Sequence, residues 1–154
     1  MSLLLAMLKQ HKAMHDEIAK HAFMRPQHHI HGFVLEHGRM FTSQKRPDWC
    51  ERGTPKECFS NATHLALETG LTYVEGFMLR DGLPIPIHHG WCVEGDLVID
   101  PTIDRPEECE YYGIPIDAEY LMLHTTTSGI YGLLDNPKSQ RIYETPPELF
   151  IEQN

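Results

Sequence analysis

The sequence has few basic residues for its length. Its 154 residues include 13 Lys and Arg against 22 Asp and Glu, which gives a formal net charge of −9. Nucleic-acid binding depends on clustered Lys and Arg that neutralise phosphates, so this balance argues against a nucleic-acid surface. We therefore expect no nucleic-acid partner, and we expect long-range steering to disfavour strongly anionic substrates.

Long hydrophobic runs are also absent. The apolar run nearest the N-terminus, Leu3 to Leu8, is too short for a membrane span, and a helical pattern follows it instead of a cleavage site. The sequence therefore predicts no membrane partner and a cytoplasmic location. With 41% hydrophobic and 23% charged residues, the composition argues against disorder, collagen and coiled coil.

Cysteine is scarce, and its spacing excludes the common zinc sites. The chain has four cysteines and no CxxC pair among them. No secretory signal accompanies them, so free thiols are expected. Glycine-rich phosphate loops and the nucleophile-elbow serine motif are missing as well. The sequence predicts that the chain needs no cofactor.

Histidine, in contrast, is abundant, with 11 residues. His11 and His15 have the helical spacing of two ligands to one metal, and His28, His29 and His31 follow nearby. The chain has no HExxH motif and no companion cysteine pair. We expect no metal site, and a histidine-rich metal-binding protein is kept as an alternative.

The pattern along the chain indicates a single α+β domain over residues 1–154. Apolar residues at spacings of three and four predict an N-terminal helix over about residues 4–24. Strands are predicted over His31–Leu35, Leu71–Leu79, Ile87–Val93 and Leu97–Asp100. The section after Asp100 is expected to be interrupted at Pro101, Pro106 and Gly113, with short apolar runs at Tyr120–Leu123 and Ile130–Leu134 and a last helical turn after Pro147.

A helix start is predicted at Thr54. Thr54 suits an N-cap, Pro55 suits the first helical position, and Glu57 would complete a capping box. The helix is expected to run to Thr69 and to end at a left-handed Gly70. Cys58 would be the fourth helical residue, close to the positive end of the helix dipole, which favours a reactive thiolate. The alternative is a small buried apolar residue, which is the commoner role of a lone cysteine.

A predicted hairpin brings a histidine close to a carboxylate. A two-residue turn that starts at Glu94 would place His89 directly opposite Asp100, because opposed residues in a hairpin have a constant index sum. A turn that starts one residue later would make the two diagonal neighbours on one face. Cys58, His89 and Asp100 are thus a candidate nucleophile, base and orienter. The alternative is an ordinary strand histidine and a loop aspartate.

Two short motifs then suggest a family. His89-Gly90-Trp91 and Asp100-Pro101-Thr102 resemble the His-x-Trp and Asp-Pro-Thr signatures of the transglutaminase-like branch of papain-like cysteine domains. In that superfamily a cysteine opens a helix upstream, and Cys58 has the matching place and chain order. The resemblance covers residues 58–102. It implies Cys58 as nucleophile, His89 as base and Asp100 as its partner, with the cysteine helix packed on an antiparallel sheet.

The resemblance also implies an oxyanion donor besides the backbone N–H of Cys58. Papain-like members use an upstream glutamine, and the nearest here is Gln44. Asn61, one helical turn beyond Cys58, is the other candidate. Trp91 shares the strand face of His89, so it is expected to cover the imidazole, to line an acyl-group pocket or to fill the core.

The sequence therefore predicts acyl transfer through a thioester at Cys58, most often ending in hydrolysis of an amide or peptide bond. The expected partner is a peptide or an amide-containing small molecule. Three alternatives stay open. The same triad would serve an acyltransferase that acylates amines, as in the arylamine N-acetyltransferases. The others are a non-catalytic binding module and the histidine-rich metal-binding protein.

Overall fold

The computed structural model describes residues 2–20 and 30–134. The described helices are α1 (Leu3–Lys20), α2 (Ile30–His37), α3 (Cys58–Thr69) and α4 (Ala118–Ser128). The described strands are β1 (Arg39–Phe41), β2 (Thr72–Arg80), β3 (Ile87–Glu94), β4 (Leu97–Ile99) and β5 (Cys109–Ile116). The predicted α+β class is confirmed. The predicted end of the first helix and the helical turn after Pro147 lie outside the described residues.

The strands form one sheet in the order β1-β5-β2-β3-β4, with antiparallel neighbours throughout. The two edges of this sheet meet, because Thr42, just after β1, forms a bridge with Leu97 on β4. The Thr42 N–H donates to Asp96 O at 2.8 Å, and the Val98 N–H donates to Thr42 O at 2.9 Å. The sheet therefore curls back on itself and has an inner and an outer face.

Each face of the sheet has its own apolar cluster. The inner cluster draws on all five strands and on no helix: Phe41, Val74, Met78, Trp91, Val93, Val98, Cys109 and Tyr111. The outer cluster combines residues of all four helices with the other strand face, including Leu4, Leu8, Val34, Ala62, Ala66, Phe77, Cys92, Ile114 and Leu121. Alternation along the strands separates the two sets.

Helix α3 packs on β3 of the outer face. Ala62 and Ala66 are buried, and the Cys92 thiol donates to Ala62 O at 3.2 Å. Small residues on this helix face let it approach the strand closely. The helix ends at Gly70 with φ 77° and the Gly70 N–H bonded to Ala66 O, which confirms the predicted left-handed terminator.

The predicted start of this helix is wrong. Helix α3 begins at Cys58, its N-cap is Glu57, and no side chain caps it. Lys56 has a left-handed φ of 67°, which interrupts any helix that starts at Thr54. The preceding loop is held elsewhere, because the Gly53 N–H donates to Pro101 O at 2.7 Å. A tertiary contact therefore overrides the local capping signal, and Cys58 is the first helical residue instead of the fourth.

Two further expectations are corrected. The segment predicted as a strand over His31–Leu35 belongs to α2, where Ile30, Phe33 and Val34 face the outer core at helical spacing. The section expected to be broken at Gly113 contains β5, which pairs with both β1 and β2. Short apolar runs do not distinguish helix from strand without their packing partners. Among the described residues, no helix combines the length and apolar character that crossing a membrane requires.

Paired glycines permit the closest approach within the sheet. Gly76 on β2 lies opposite Gly113 on β5, and a Cβ at Gly76 would come 2.2 Å from Tyr112 O and 2.4 Å from the Gly113 Cα. Both neighbours are backbone atoms of the adjacent strand, which cannot move aside cheaply. Glycine at this position therefore marks a close backbone approach in the curled sheet.

We expect Gly76→Ala to lower the free energy of unfolding by about 1–3 kcal/mol, because the added methyl group displaces a central strand. Gly32→Ala in α2 is the matched control. The atoms nearest to a Cβ at Gly32 belong to the flexible Lys12 side chain, at an ordinary contact distance of 3.5 Å, so this change should stabilise the helix by about 0.5–1 kcal/mol. Urea denaturation of both variants checks the difference, and equal effects would contradict it.

Candidate active site

The β3–β4 hairpin brings His89 and Asp100 together. Glu94 pairs with Leu97, so the two-residue turn is Gly95-Asp96, the later of the two predicted turns. This register makes His89 and Asp100 diagonal neighbours on the inner face. The His89 Nε2 lies 2.7 Å from Asp100 Oδ2, which confirms the predicted meeting of imidazole and carboxylate.

Asp100 is fully buried, and both of its oxygens are satisfied. Oδ1 accepts from the backbone N–H groups of Thr102 and Ile103 at 2.9 and 3.2 Å. Oδ2 accepts from the Tyr111 hydroxyl at 2.8 Å in addition to its contact with His89. Burial by itself raises the pKa of Asp100, but the neighbouring His89 and these donors lower it overall. The group is held as a carboxylate.

His89 is 3% exposed and lies between this carboxylate and Cys58. Burial by itself lowers the pKa of the imidazole. The Asp100 charge and hydrogen bond, together with a hydrogen bond and a charge interaction with Cys58, raise the pKa of His89 to about 10. Because Asp100 engages Nε2, the ring nitrogen left for Cys58 is Nδ1. The ring is oriented by the Asp100 carboxylate and interacts electrostatically with Cys58.

Cys58 differs from the other three cysteines in its surroundings. It is half-buried at the first position of α3, whereas Cys50, Cys92 and Cys109 are buried. Burial raises the pKa of each of these three thiols, that of Cys109 to about 11. A buried thiol with a raised pKa is inert, so Cys58 is the cysteine of this chain suited to nucleophilic chemistry.

Tyr111 is a member of the site that the sequence did not suggest. It comes from β5, is fully buried, and donates its hydroxyl to the same Asp100 oxygen that His89 contacts. Burial and the Asp100 charge raise the pKa of Tyr111 far above its ordinary value, so it remains a donor at any working pH. No local motif marks this tyrosine, since its role depends on the pairing of β5 with β2.

Trp91 covers the imidazole from within the curl. It is 0% exposed, and its ring lies nearly parallel to that of His89 at a centroid distance of 6.0 Å and an interplanar angle of 17°. Tyr111 and Phe41 contact its other sides, at centroid distances of 5.0 and 6.2 Å. Of the three predicted roles, covering the ring and filling the core agree with this placement. The third role, lining an acyl-group pocket, does not agree with it, because no part of the Trp91 side chain is exposed.

The two predicted oxyanion donors are engaged in other hydrogen bonds. The Asn61 Nδ2 donates to Thr54 O at 2.8 Å and to Thr102 Oγ1 at 2.9 Å, which uses both amide hydrogens. It therefore ties the loop before Cys58 to the loop after Asp100. The Gln44 Nε2 donates to Val98 O at 2.9 Å on β4.

The described histidines include one close pair outside this site. His11 Nδ1 lies 3.2 Å from His31 Nε2, across α1 and α2. Within residues 2–20 and 30–134, no group of three or more His, Cys, Asp and Glu side chains is arranged to hold a metal ion. His28 and His29 lie outside the described residues.

The raised pKa of His89 makes stability depend on pH. A group whose folded-state pKa exceeds the ordinary value of about 6.5 stabilises the fold through its protonated form. That contribution is complete below about pH 6.5 and is lost as the pH rises through about 10. We expect the wild type to lose more unfolding free energy than His89→Gln between about pH 7 and about pH 10. Urea titrations at the two pH values measure this, and parallel losses would contradict the assignment.

Comparison with known proteins identifies no family for this chain. No protein-family model, no curated protein and no solved structure matches this chain. The function must therefore be inferred from what Cys58, His89, Asp100 and Tyr111 can do chemically.

Proposed function

We propose that the protein is a cysteine-dependent acyl-transfer enzyme, with Cys58 as nucleophile, His89 as general base and acid, and Asp100 as the group that orients His89. Two observations carry this proposal. His89 Nε2 lies 2.7 Å from the buried Asp100 carboxylate, and the backbone of Phe59, next to Cys58, packs so closely on Gly90, next to His89, that a Cβ at Gly90 would lie 3.5 Å from the Phe59 Cα. A nucleophile, a base within hydrogen-bonding reach and an orienting third group form the general pattern of covalent acyl transfer.

Because the raised pKa of His89 favours the protonated ring, the Cys58 proton passes to Nδ1 of His89 before the substrate reacts, and the sulfur then attacks the carbonyl carbon of an amide. The carbonyl oxygen takes the electron pair, and the Cys58 backbone N–H stabilises it. This N–H belongs to the first turn of α3, where helix geometry provides no acceptor. The carbon–nitrogen bond then breaks, His89 gives the proton to the leaving amine, and a thioester remains on Cys58.

In the second step water attacks the thioester. His89 accepts a proton from the water, the carbon–sulfur bond breaks, and the proton returns to the sulfur. The products are a carboxylic acid and the free thiol, so the cycle closes without a cofactor. Asp100 stays ionised throughout and stabilises the imidazolium that forms in each half-reaction.

Hydrolysis of a peptide or of an amide-containing small molecule is the reaction we propose. The transglutaminase-like motifs at residues 89–91 and 100–102 agree with this chemistry, and so does the packing of the cysteine helix on an antiparallel sheet. Transfer to an amine would use the same residues with an amine in place of water. We propose a cytoplasmic location, where the free thiol of Cys58 is kept reduced.

We expect Cys58 to react with iodoacetamide before the other three cysteines. It should also become acylated by p-nitrophenyl acetate, with release of p-nitrophenolate. Cys58→Ser should abolish both reactions, and His89→Gln should slow acylation by about 100-fold or more, because it removes the base. Peptide mass spectrometry locates the adduct, and absorbance follows the release.

His15→Gln on α1 is the matched control for the histidine change, and it should acylate at the wild-type rate. Equal labelling of all four cysteines, or the same acylation rate in His89→Gln and the wild type, would contradict the proposed triad.

A further inference from the structure

A hollow lies next to the chain segment that carries the nucleophile. It has a volume of about 350 Å³, at the lower end of the range of small-molecule sites. One wall consists of the residues on either side of Cys58, namely Lys56, Glu57, Phe59 and Ser60, and the other of residues 129–131. The second wall is part of the segment 129–134, which follows α4 and is named the strap.

The strap is fixed to the sheet by a buried carboxylate that the proposed reaction does not use. Glu75 on β2 is 0% exposed on the outer face. Its two oxygens accept from the backbone N–H groups of Leu133 and Leu134, both at 2.8 Å. Oε1 also accepts a hydrogen bond from the Tyr73 hydroxyl at 2.7 Å, and Oε2 lies 2.9 Å from His88 Nε2. Burial alone raises the pKa of Glu75, but these partners lower it overall, so the group is an anion.

Other contacts hold the strap against α3 and α4. The Tyr131 hydroxyl lies 3.4 Å from His64 Nε2, and His124 Nε2 lies 3.3 Å from Gly132 O. The Phe59 ring packs under Gly132, where a Cβ would lie 3.3 Å from the ring. Gly132 has a φ of 93°, so a side chain there would also strain the backbone. The strap is therefore tied to the sheet and to two helices.

The walls are mainly apolar. Phe59 provides an aromatic surface on one side, and Ile130 and Tyr131 on the strap are 38% and 39% exposed. The exposed surfaces of Ile130 and Tyr131 can bury an apolar group of a ligand away from water. Because residues adjacent to Cys58 in the chain form one wall, a substrate group close to the reacting carbonyl is the group within reach of the hollow.

We propose that this hollow binds an apolar or aromatic side chain on the acyl part of the substrate, and that Glu75 positions the strap that forms it. This inference rests on the proposed function, since it assigns the substrate class of the Cys58 reaction. Ile130 and Tyr131 are then residues that determine specificity, and Glu75 is a positioning residue that acts through the strap backbone.

The test compares two p-nitrophenyl esters, one with an acetyl and one with a 3-phenylpropanoyl group. The acylation rate of Cys58 with each ester is divided by the rate of the same ester with 2-mercaptoethanol, which removes intrinsic reactivity. For the wild type we expect the corrected rate to favour the phenylpropanoyl ester by about tenfold or more. The iodoacetamide rate of Cys58 is measured in parallel for every variant.

Two variants address the hollow, and one serves as control. Ile130→Asp puts a charge into the hollow, and Ile18→Asp makes the same change at an exposed position of α1. Glu75→Gln replaces one acceptor oxygen by an amide group that cannot accept a backbone N–H. We expect Ile130→Asp and Glu75→Gln to lose the preference by about tenfold, and Ile18→Asp to keep it. Ile130→Asp alters a partly exposed side chain, so its result stands independently of how well Glu75→Gln folds.

The outcomes separate this inference from the proposed function. A wild type that acylates at Cys58 without preferring the phenylpropanoyl ester overturns the inference and leaves the proposed function in place. An intact preference in Ile130→Asp also overturns the inference. If neither ester acylates Cys58 and its iodoacetamide rate equals that of the other cysteines, the proposed function itself fails.

Discussion

The candidate site depends on the buried carboxylate of Asp100. An unpaired charge inside the curled sheet would be costly, and this one is matched by His89 and Tyr111 and by two backbone N–H groups. These partners come from β3, from β5 and from the loop after β4. One carboxylate thus fixes two strands and a loop relative to each other. The imidazole is oriented before any substrate arrives, which is the preorganisation that acyl-transfer chemistry requires.

A second buried carboxylate, that of Glu75, lies on the outer face of the sheet. His88 and His89 are consecutive in β3 and therefore point to opposite faces of the sheet. His89 pairs with Asp100 on the inner face, and His88 pairs with Glu75 on the outer face. The inner pair orients the base, and the outer pair fastens the strap beside Cys58. Consecutive residues of β3 thus serve the proposed base on one face and the strap on the other.

The elements that the sequence predicted well are those bounded by a glycine at a helix end or in a tight turn. Gly70 ends α3 because a left-handed residue is needed there, and Gly95-Asp96 closes the hairpin that pairs β3 with β4. The interior strand β5 was missed because Gly113 was interpreted as a break in the chain's regular structure. Gly113 is required because a Cβ there would lie 2.7 Å from the Trp91 ring and 2.8 Å from Glu75 O, and Pro115 lies beyond the part of β5 that pairs with β1. Both reasons exist only in the assembled sheet.

The sequence by itself determined that His89 and Asp100 meet, because strand alternation and a two-residue turn bring their side chains to one face. It also placed Cys58 near the start of a helix, although the left-handed Lys56 moved that start by several residues. Only the tertiary structure decided that Tyr111 joins Asp100, that Asn61 ties two loops together, and that Glu75 holds the strap. The contacting residues in these interactions are 7 to 59 positions apart in the chain. No local period encodes such separations, which are fixed only when the sheet curls and the helices dock.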